Sequence, residues 1–272
     1  MRPPAASRIL LAVAVLLPLA AQQAEGQVRS GPLKFQSLEP GLDVFQGSIF
    51  AVGRSVSMTI VRAWLPGHRV GLAIPQGKVT GDTLVAFLER NKAKAVVSGG
   101  FVKSFYPPIP LGLVKQNGQM INRAASGDLL TGVLLMQAGR VAIERFRGTE
   151  AVTGWDEVLQ AGPLLVSARR SALPTDASGL MPSTRSLIGN EYSRAFVAIL
   201  PGEQVVLAFS GPITLPGLVD FLTGSAAQGG LGCLDALNLS GSGSSGLLVR
   251  VGGREMQVGN SYTHLANVVI IR

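Results

Sequence analysis

Ala236-Leu237-Asn238-Leu239-Ser240-Gly241-Ser242-Gly243-Ser244-Ser245 is the stretch on which the reading of this chain turns. Its first four residues have the length and apolar character of a short buried strand. The strand runs straight into six small polar residues. Glycine at such a strand tip lets backbone come close to a ligand, and exposed amides there form a concavity suited to anions. Ala95-Val96-Val97-Ser98-Gly99-Gly100 repeats the form: a short apolar strand, then a polar Gly-Gly turn. In open α/β sheets, strand ends of this kind are where ligands collect. No phosphate-loop lysine accompanies either stretch, so nucleotide hydrolysis is not indicated.

Working outward, short apolar or alternating runs predict strands over 44–50, 57–64, 70–74, 164–166, 186–188, 195–200, 204–209, 247–251 and 268–271. Asn117-Gly118 predicts a hairpin between 113–115 and 119–121, since both turn positions favour positive φ. A second pair, 131–136 and 140–146, turns at Ala138-Gly139. One helix is expected to start at Thr80 or Asp82 and end at Asn91, with Leu84, Phe87 and Leu88 on its inner face. A short helix is expected over 155–159. A third is capped by Thr214, with Pro216 in its first turn and Leu218, Phe221 and Leu222 facing inward. Many short strands and few helices argue for one α+β domain over 41–272, with mixed β-sheets and a few flanking helices.

The chain has 272 residues, 47% of them hydrophobic, with 34 Gly, 16 Pro and 1 Cys, which is a globular composition. One cysteine excludes an internal disulfide framework. Two histidines, His68 and His264, argue against a multi-histidine metal centre, and no cofactor is expected. The net charge is +8, from 24 Lys+Arg against 16 Asp+Glu. The cations are scattered without interleaved aromatic residues, so nucleic acid is not the expected partner; the field favours anionic ligands such as phosphates.

Arg2 and Arg8, an apolar run over 9–21 and small residues before Gln27 form the pattern of a secretory signal peptide, taken as 1–26. The run is shorter than the about 20 residues a membrane span needs. The mature protein is therefore expected to be secreted or periplasmic, without integral membrane association. Residues 27–40 read as a flexible lead-in.

Several segments, in order, resemble motifs of the phosphodiester glycosidase family. Val97-Ser98-Gly99-Gly100-Phe101 resembles its Asn-Gly-Gly-Phe-Phe. Pro110-Leu111-Gly112-Leu113-Val114 with Asn117-Gly118 resembles its hairpin. Gln160-Ala161-Gly162-Pro163-Leu164-Leu165-Val166 is similar to its central Gly-Pro strand, and Thr184-Arg185-Ser186-Leu187-Ile188-Gly189 to its Arg-Thr-Ala-Ile-Gly. The stretch at 236–245 resembles its Ala-Leu-Asn-Leu-Asp-Gly-Gly-Gly-Ser-Ser, and Val258-Gly259-Asn260 its closing motif. The resemblance runs from about residue 95 to the C-terminus. It implies that family's fold and hydrolysis of a sugar 1-phosphodiester, on a phosphorylated glycan or exopolysaccharide.

Carried onto this chain, the resemblance makes Arg185 the expected phosphate ligand, because a guanidinium fits phosphate oxygens two-pronged. It makes Ser240 the second catalytic position, and Ser98, Gly99, Gly100, Phe101, Asn238, Gly241, Ser242, Gly243 and Ser244 the substrate-binding set. Two departures stand out: Ser98 replaces the family's Asn, and Ser240 its Asp. An unactivated serine supplies no carboxylate charge to an oxocarbenium-like transition state. Asp235 is at the wrong end of the strand. Asp128, Asp176 and Glu191 are loop acids more suited to solvation or capping, His264 to a structural role, and Cys233 to a buried thiol. Two readings follow: a hydrolase of glycosyl phosphodiesters, or an impaired relative that binds phosphorylated glycans without turnover.

Overall fold

The computed structural model describes residues 31–76, 81–176, 178–259 and 264–272; the expected leader lies outside them. In chain order the strands begin with β1 (Gln36–Glu39), β2 (Leu42–Ala51), β3 (Arg54–Trp64) and β4 (Val70–Ala73), followed by helix α1 (Leu84–Asn91). Next come β5 (Ala95–Ser98), β6 (Val102–Phe105), β7 (Pro108–Pro110), β8 (Val114–Gln116), β9 (Gln119–Asn122), β10 (Gly132–Gln137) and β11 (Arg140–Arg145). Then β12 (Glu157–Ala161), β13 (Leu164–Ser167) and β14 (Arg170–Ser171) lead to α2 (Pro182–Gly189). The chain closes with β15 (Tyr192–Leu200), β16 (Gln204–Ile213), α3 (Leu215–Thr223), β17 (Asp235–Gly241), β18 (Gly246–Val251), β19 (Arg254–Gly259) and β20 (Val268–Ile271).

Three sheets enclose one core. The largest runs β1-β2-β3-β16-β15-β17-β13-β14; the others are β11-β10-β12-β8-β9 and β19-β18-β5-β20-β4, with β6-β7 as a separate ribbon. Leu237 and Leu239 of β17, Val97 of β5 and Leu134 and Leu159 of the middle sheet meet in one buried cluster. Each sheet is also covered on its other face. α3 packs with Ala236, Phe196 and Ala198, α1 with Val96 and Leu248, and Trp155 with Val133 and Val158. Burial on both faces is why β5 and β17 read as continuous rather than alternating runs.

The structure corrects several expectations. The sheets are not mixed: among the described residues all strand pairings between named strands are antiparallel. Residues 36–39, expected as part of the lead-in, form edge strand β1 against β2. The expected helix over 155–159 is instead β12, sandwiched between β10 and β8. The expected strand over 186–188 is the second half of α2. The N-cap of α1 is Thr83, whose hydroxyl accepts from the Ala86 amide, while Asp82 accepts from the Thr83 amide; Thr80 lies outside the described residues. The β6–β7 ribbon and edge strand β19 were not anticipated.

Candidate functional site

Ser98 ends β5 in one sheet and Ser240 lies near the end of β17 in another, so the two strand tips meet across a seam. Their hydroxyl oxygens are 2.9 Å apart, with Ser98 0% and Ser240 2% exposed. Ser240 Oγ also lies 3.3 Å from Ser245 Oγ. Ser98 Oγ accepts from the Gly246 amide at 3.0 Å, and Ser245 Oγ donates to the Ser193 carbonyl at 3.4 Å. One proton assignment uses every contact. Ser245 gives its proton to Ser193, so Ser240 donates to Ser245, and Ser98 donates to Ser240. The three hydroxyl protons are consumed in a one-way chain that begins at one backbone amide and ends at one carbonyl.

The seam opens into a cavity of about 210 Å³ lined by Ser98, Gly99, Gly100, Phe101, Ser240, Gly241 and Ser244, with Phe105, His264 and Asn267 among the rest. A shallower hollow of about 450 Å³ adjoins it, sharing Phe105, Gly241, Ser244 and His264 and adding Tyr106, Ser242 and Gly243. Eight of the nine expected binding residues thus lie around these two spaces, together with Ser240. The ninth, Asn238, is buried behind them and donates from Nδ2 to the Gly162 carbonyl at 2.8 Å.

The amides of the Gly-Gly turn are not free. Gly99 N donates to the Asn267 carbonyl at 3.1 Å and Gly100 N to Asn267 Oδ1 at 2.8 Å. A Cβ on Gly99 would collide with Asn267 Oδ1 and stand 2.7 Å from its carbonyl oxygen. The glycine is required by this close approach rather than by a ligand. Asn267 was missed; the signal is a lone amide immediately before the apolar run of β20.

Arg185 is placed apart from these hollows. It sits on the exposed face of α2, not at a strand start, and its Nη2 donates to the Leu180 carbonyl at 3.1 Å and the Ser178 carbonyl at 3.5 Å. The guanidinium nearest the seam is Arg194 of β15, paired in register with Gly241 and 0% exposed. Its Nη2 donates to the carbonyls of Leu187 and Asn190 at 2.7 and 2.9 Å, and its Nε to Ile213 at 3.2 Å. Cations at a helix C-terminus are favoured by the dipole, and here Arg194 closes the end of α2. Among the described residues Nη1 has no hydrogen-bond partner, and it would be 3.3 Å from a Cβ on Gly241. Burial lowers its pKa to about 10, so the charge persists at neutral pH. An arginine inside an otherwise apolar strand sequence was the available signal.

The acids weighed from sequence are engaged elsewhere. Asp128 accepts from the Met181 amide and the Thr184 hydroxyl at 2.6 and 2.7 Å, bonds that hold its carboxyl below the usual range. Asp176 accepts from Ser178, Glu191 pairs with Arg54, and Asp235 accepts from the Ala168 amide. Among the described residues no carboxylate lines the inner cavity, and the undescribed internal stretches 77–80, 177 and 260–263 contain no Asp or Glu. His264, at the exposed mouth, is the acid–base group of that lining. Cys233 is buried, its thiol pushed up to about 12 by burial. Asn260 of the closing motif lies outside the described residues. No cluster of three metal-ligating side chains occurs among the described residues, and none of their helices is long and apolar enough to cross a membrane.

Several solved structures share the fold, among them the following three. The zebrafish N-acetylglucosamine-1-phosphodiester alpha-N-acetylglucosaminidase catalytic domain, auto-inhibited by its pro-peptide, aligns at 14% identity and TM-score 0.65, covering 89% of this chain and 86% of that one. A hypothetical protein from Synechocystis aligns at 17% identity and TM-score 0.61, over 89% of this chain but 64% of its own. A putative exported protein from Burkholderia pseudomallei aligns at 14% identity and TM-score 0.54, over 80% and 74%. No curated protein matches in sequence. The sequence profile of one family does match, over residues 91–272, and that span holds β5, β17 and every residue of the serine chain: this protein belongs to the phosphodiester glycosidase family.

Proposed function

We propose that this protein is an exported member of its family that holds a sugar 1-phosphodiester, as part of a phosphorylated glycan, in the seam cavity without cleaving it. Family membership supports a phosphodiester glycosidase-like function. The observation that carries the narrower reading is the interlocked pair Ser98 and Ser240 in a lining without a carboxylate. Cleavage at an anomeric carbon leaves a developing oxocarbenium charge that needs an anion beside it, or a base that activates water. Two hydroxyls whose protons are already committed provide neither. Their remaining lone pairs accept hydrogen bonds from sugar hydroxyls, and Phe101 and Phe105 offer apolar surface to a sugar ring. The long-range field of Arg194 behind Gly241 favours an anion in the cavity. Export rests on the N-terminal pattern and on the likeness to an exported protein.

Hydrolysis is the second reading, favoured by His264 at the cavity mouth. Calorimetry and sugar release, measured with an N-acetylglucosamine 1-phosphodiester, separate the two. Binding heat without released sugar is expected. Ser240→Asp, whose carboxylate would accept from Ser98, is expected to gain turnover. Release of sugar by the native chain overturns the binding reading in favour of hydrolysis, and absence of binding removes both.

A further inference from the structure

The described residues include eight large apolar side chains that stand exposed, and five of them fall between positions 105 and 121: Phe105 at 57%, Tyr106 at 91%, Ile109 at 41%, Met120 at 57% and Ile121 at 46%. The fold gathers them. Phe105 and Tyr106 form the tip of the β6–β7 ribbon, where Phe105 pairs with Pro108 and Ser104 with Ile109. Asn122 Nδ2 donates to the carbonyls of Pro110 and Gly112 at 3.0 and 2.8 Å, which ties the ribbon to edge strand β9. An exposed apolar cluster of this kind marks an interaction surface.

The charge around it indicates which one. Residues 90–127 contain six cations and no acid. Lys103 on the ribbon and Arg123 after β9 are exposed and have no ion-pair partner among the described residues. Of the other cations, Arg90 pairs with Asp82, Lys94 pairs with Glu39, and Lys115 donates to the Thr153 carbonyl. Lys103 and Arg123, unpaired among the described residues, thus set the charge beside the apolar tips. An anionic lipid surface complements them: aromatic and aliphatic tips enter the boundary between headgroups and acyl chains while cations meet the headgroups.

We infer that the β6–β7 ribbon and β9 form a docking site for an anionic lipid bilayer. Phe105 and Tyr106 also wall the outer hollow, so docking turns the cavity mouth toward the headgroup layer. There the reachable ligands are sugar phosphodiesters carried on lipid. This last step rests on the reading in the previous section; the docking itself does not.

The test uses the full chain with vesicles of one-third phosphatidylglycerol and two-thirds phosphatidylcholine, which contain no sugar. Failure of docking therefore leaves the sugar-binding reading untouched. Cys233 is buried and its thiol is protonated, so Tyr106→Cys takes a polarity-sensitive fluorophore at one place. Glu203→Cys, in the β15–β16 turn at the opposite end of the large sheet, is the control. A blue shift and quenching by nitroxide lipid are expected at 106 and not at 203. In otherwise native chains labelled at Ile121→Cys, Phe105→Ser with Tyr106→Ser should weaken partitioning at least about tenfold. Lys103→Gln should weaken it about fivefold. The inference is overturned by no shift at 106, by equal shifts at both positions, by a shift that rises with protein concentration before lipid is added, or by partitioning that ignores the aromatic substitutions.

Discussion

The serine chain makes a quantitative prediction about two substitutions of the same kind. Ser98→Ala removes the acceptor of the buried Gly246 amide as well as the bond to Ser240. Leaving a buried donor unpaired costs about 1–3 kcal/mol, and a lost neutral hydrogen bond adds about 1. Ser240→Ala removes the bonds to Ser98 and Ser245. It strands no amide, because the Ser98 hydroxyl lines the cavity and can rotate into it. The expected losses of folding stability are therefore about 2–4 kcal/mol for Ser98→Ala and about 1–2 kcal/mol for Ser240→Ala. The double substitution should cost about 1 kcal/mol less than the sum, since the shared bond is lost once. Urea unfolding followed by the fluorescence of Trp64 and Trp155 measures all three, and hydrogen exchange at Gly246 should accelerate in Ser98→Ala alone. Equal costs, a larger cost for Ser240→Ala, or additivity within about 0.5 kcal/mol would refute the role of Ser98 as acceptor of the Gly246 amide and partner of Ser240.

Gly99→Ala sets a methyl group against Asn267 Oδ1 and the Asn267 backbone; thermal unfolding should show a loss of at least about 2 kcal/mol, with phosphodiester binding abolished. Arg185→Ala should change melting by less than about 0.5 kcal/mol and leave calorimetric affinity unaltered, because that guanidinium reaches only two loop carbonyls. Arg194→Met, by contrast, removes a donor from three carbonyls and should cost about 3–5 kcal/mol while weakening anionic ligands more than neutral glycosides. Hydrogen bonds from the Thr184 hydroxyl and the Met181 amide hold the Asp128 carboxyl below its ordinary range, so its ionised form supplies stability that is present above the ordinary carboxylate range and lost as pH falls through the lower folded value. Asp128→Asn should remove this acid-limb dependence from pH-resolved melting curves, and slope that persists would show the group to be idle.

What the sequence disclosed followed from locality. The strands β5 and β17, the Asn117-Gly118 hairpin and the Thr214 cap each depend on a few adjacent residues, and each is present. The failures involve partners far along the chain. Residues 155–159 have apolar spacing compatible with either period, and only flanking strands β10 and β8 make them a strand. α2 has no cap of its own; Asp128, more than fifty residues upstream, supplies it. The site divides the same way. The Gly-rich tips were legible because glycine and serine follow short apolar runs. Asn267 and Arg194 were not, because their importance comes from a turn and a helix end that other segments deliver. The pull toward Arg185 came from motif position, which does not tell whether a side chain faces a cavity or the solvent.

The contact between Ser98 and Ser240 joins two separate walls of the molecule and so acts as a rivet. A guest that takes either oxygen's proton for itself must first undo that fastening, and its apparent affinity will be the intrinsic grip less the work of opening. Occupancy and rigidity at this junction are thus tied together, and a tighter guest will be one that leaves the fastening closed.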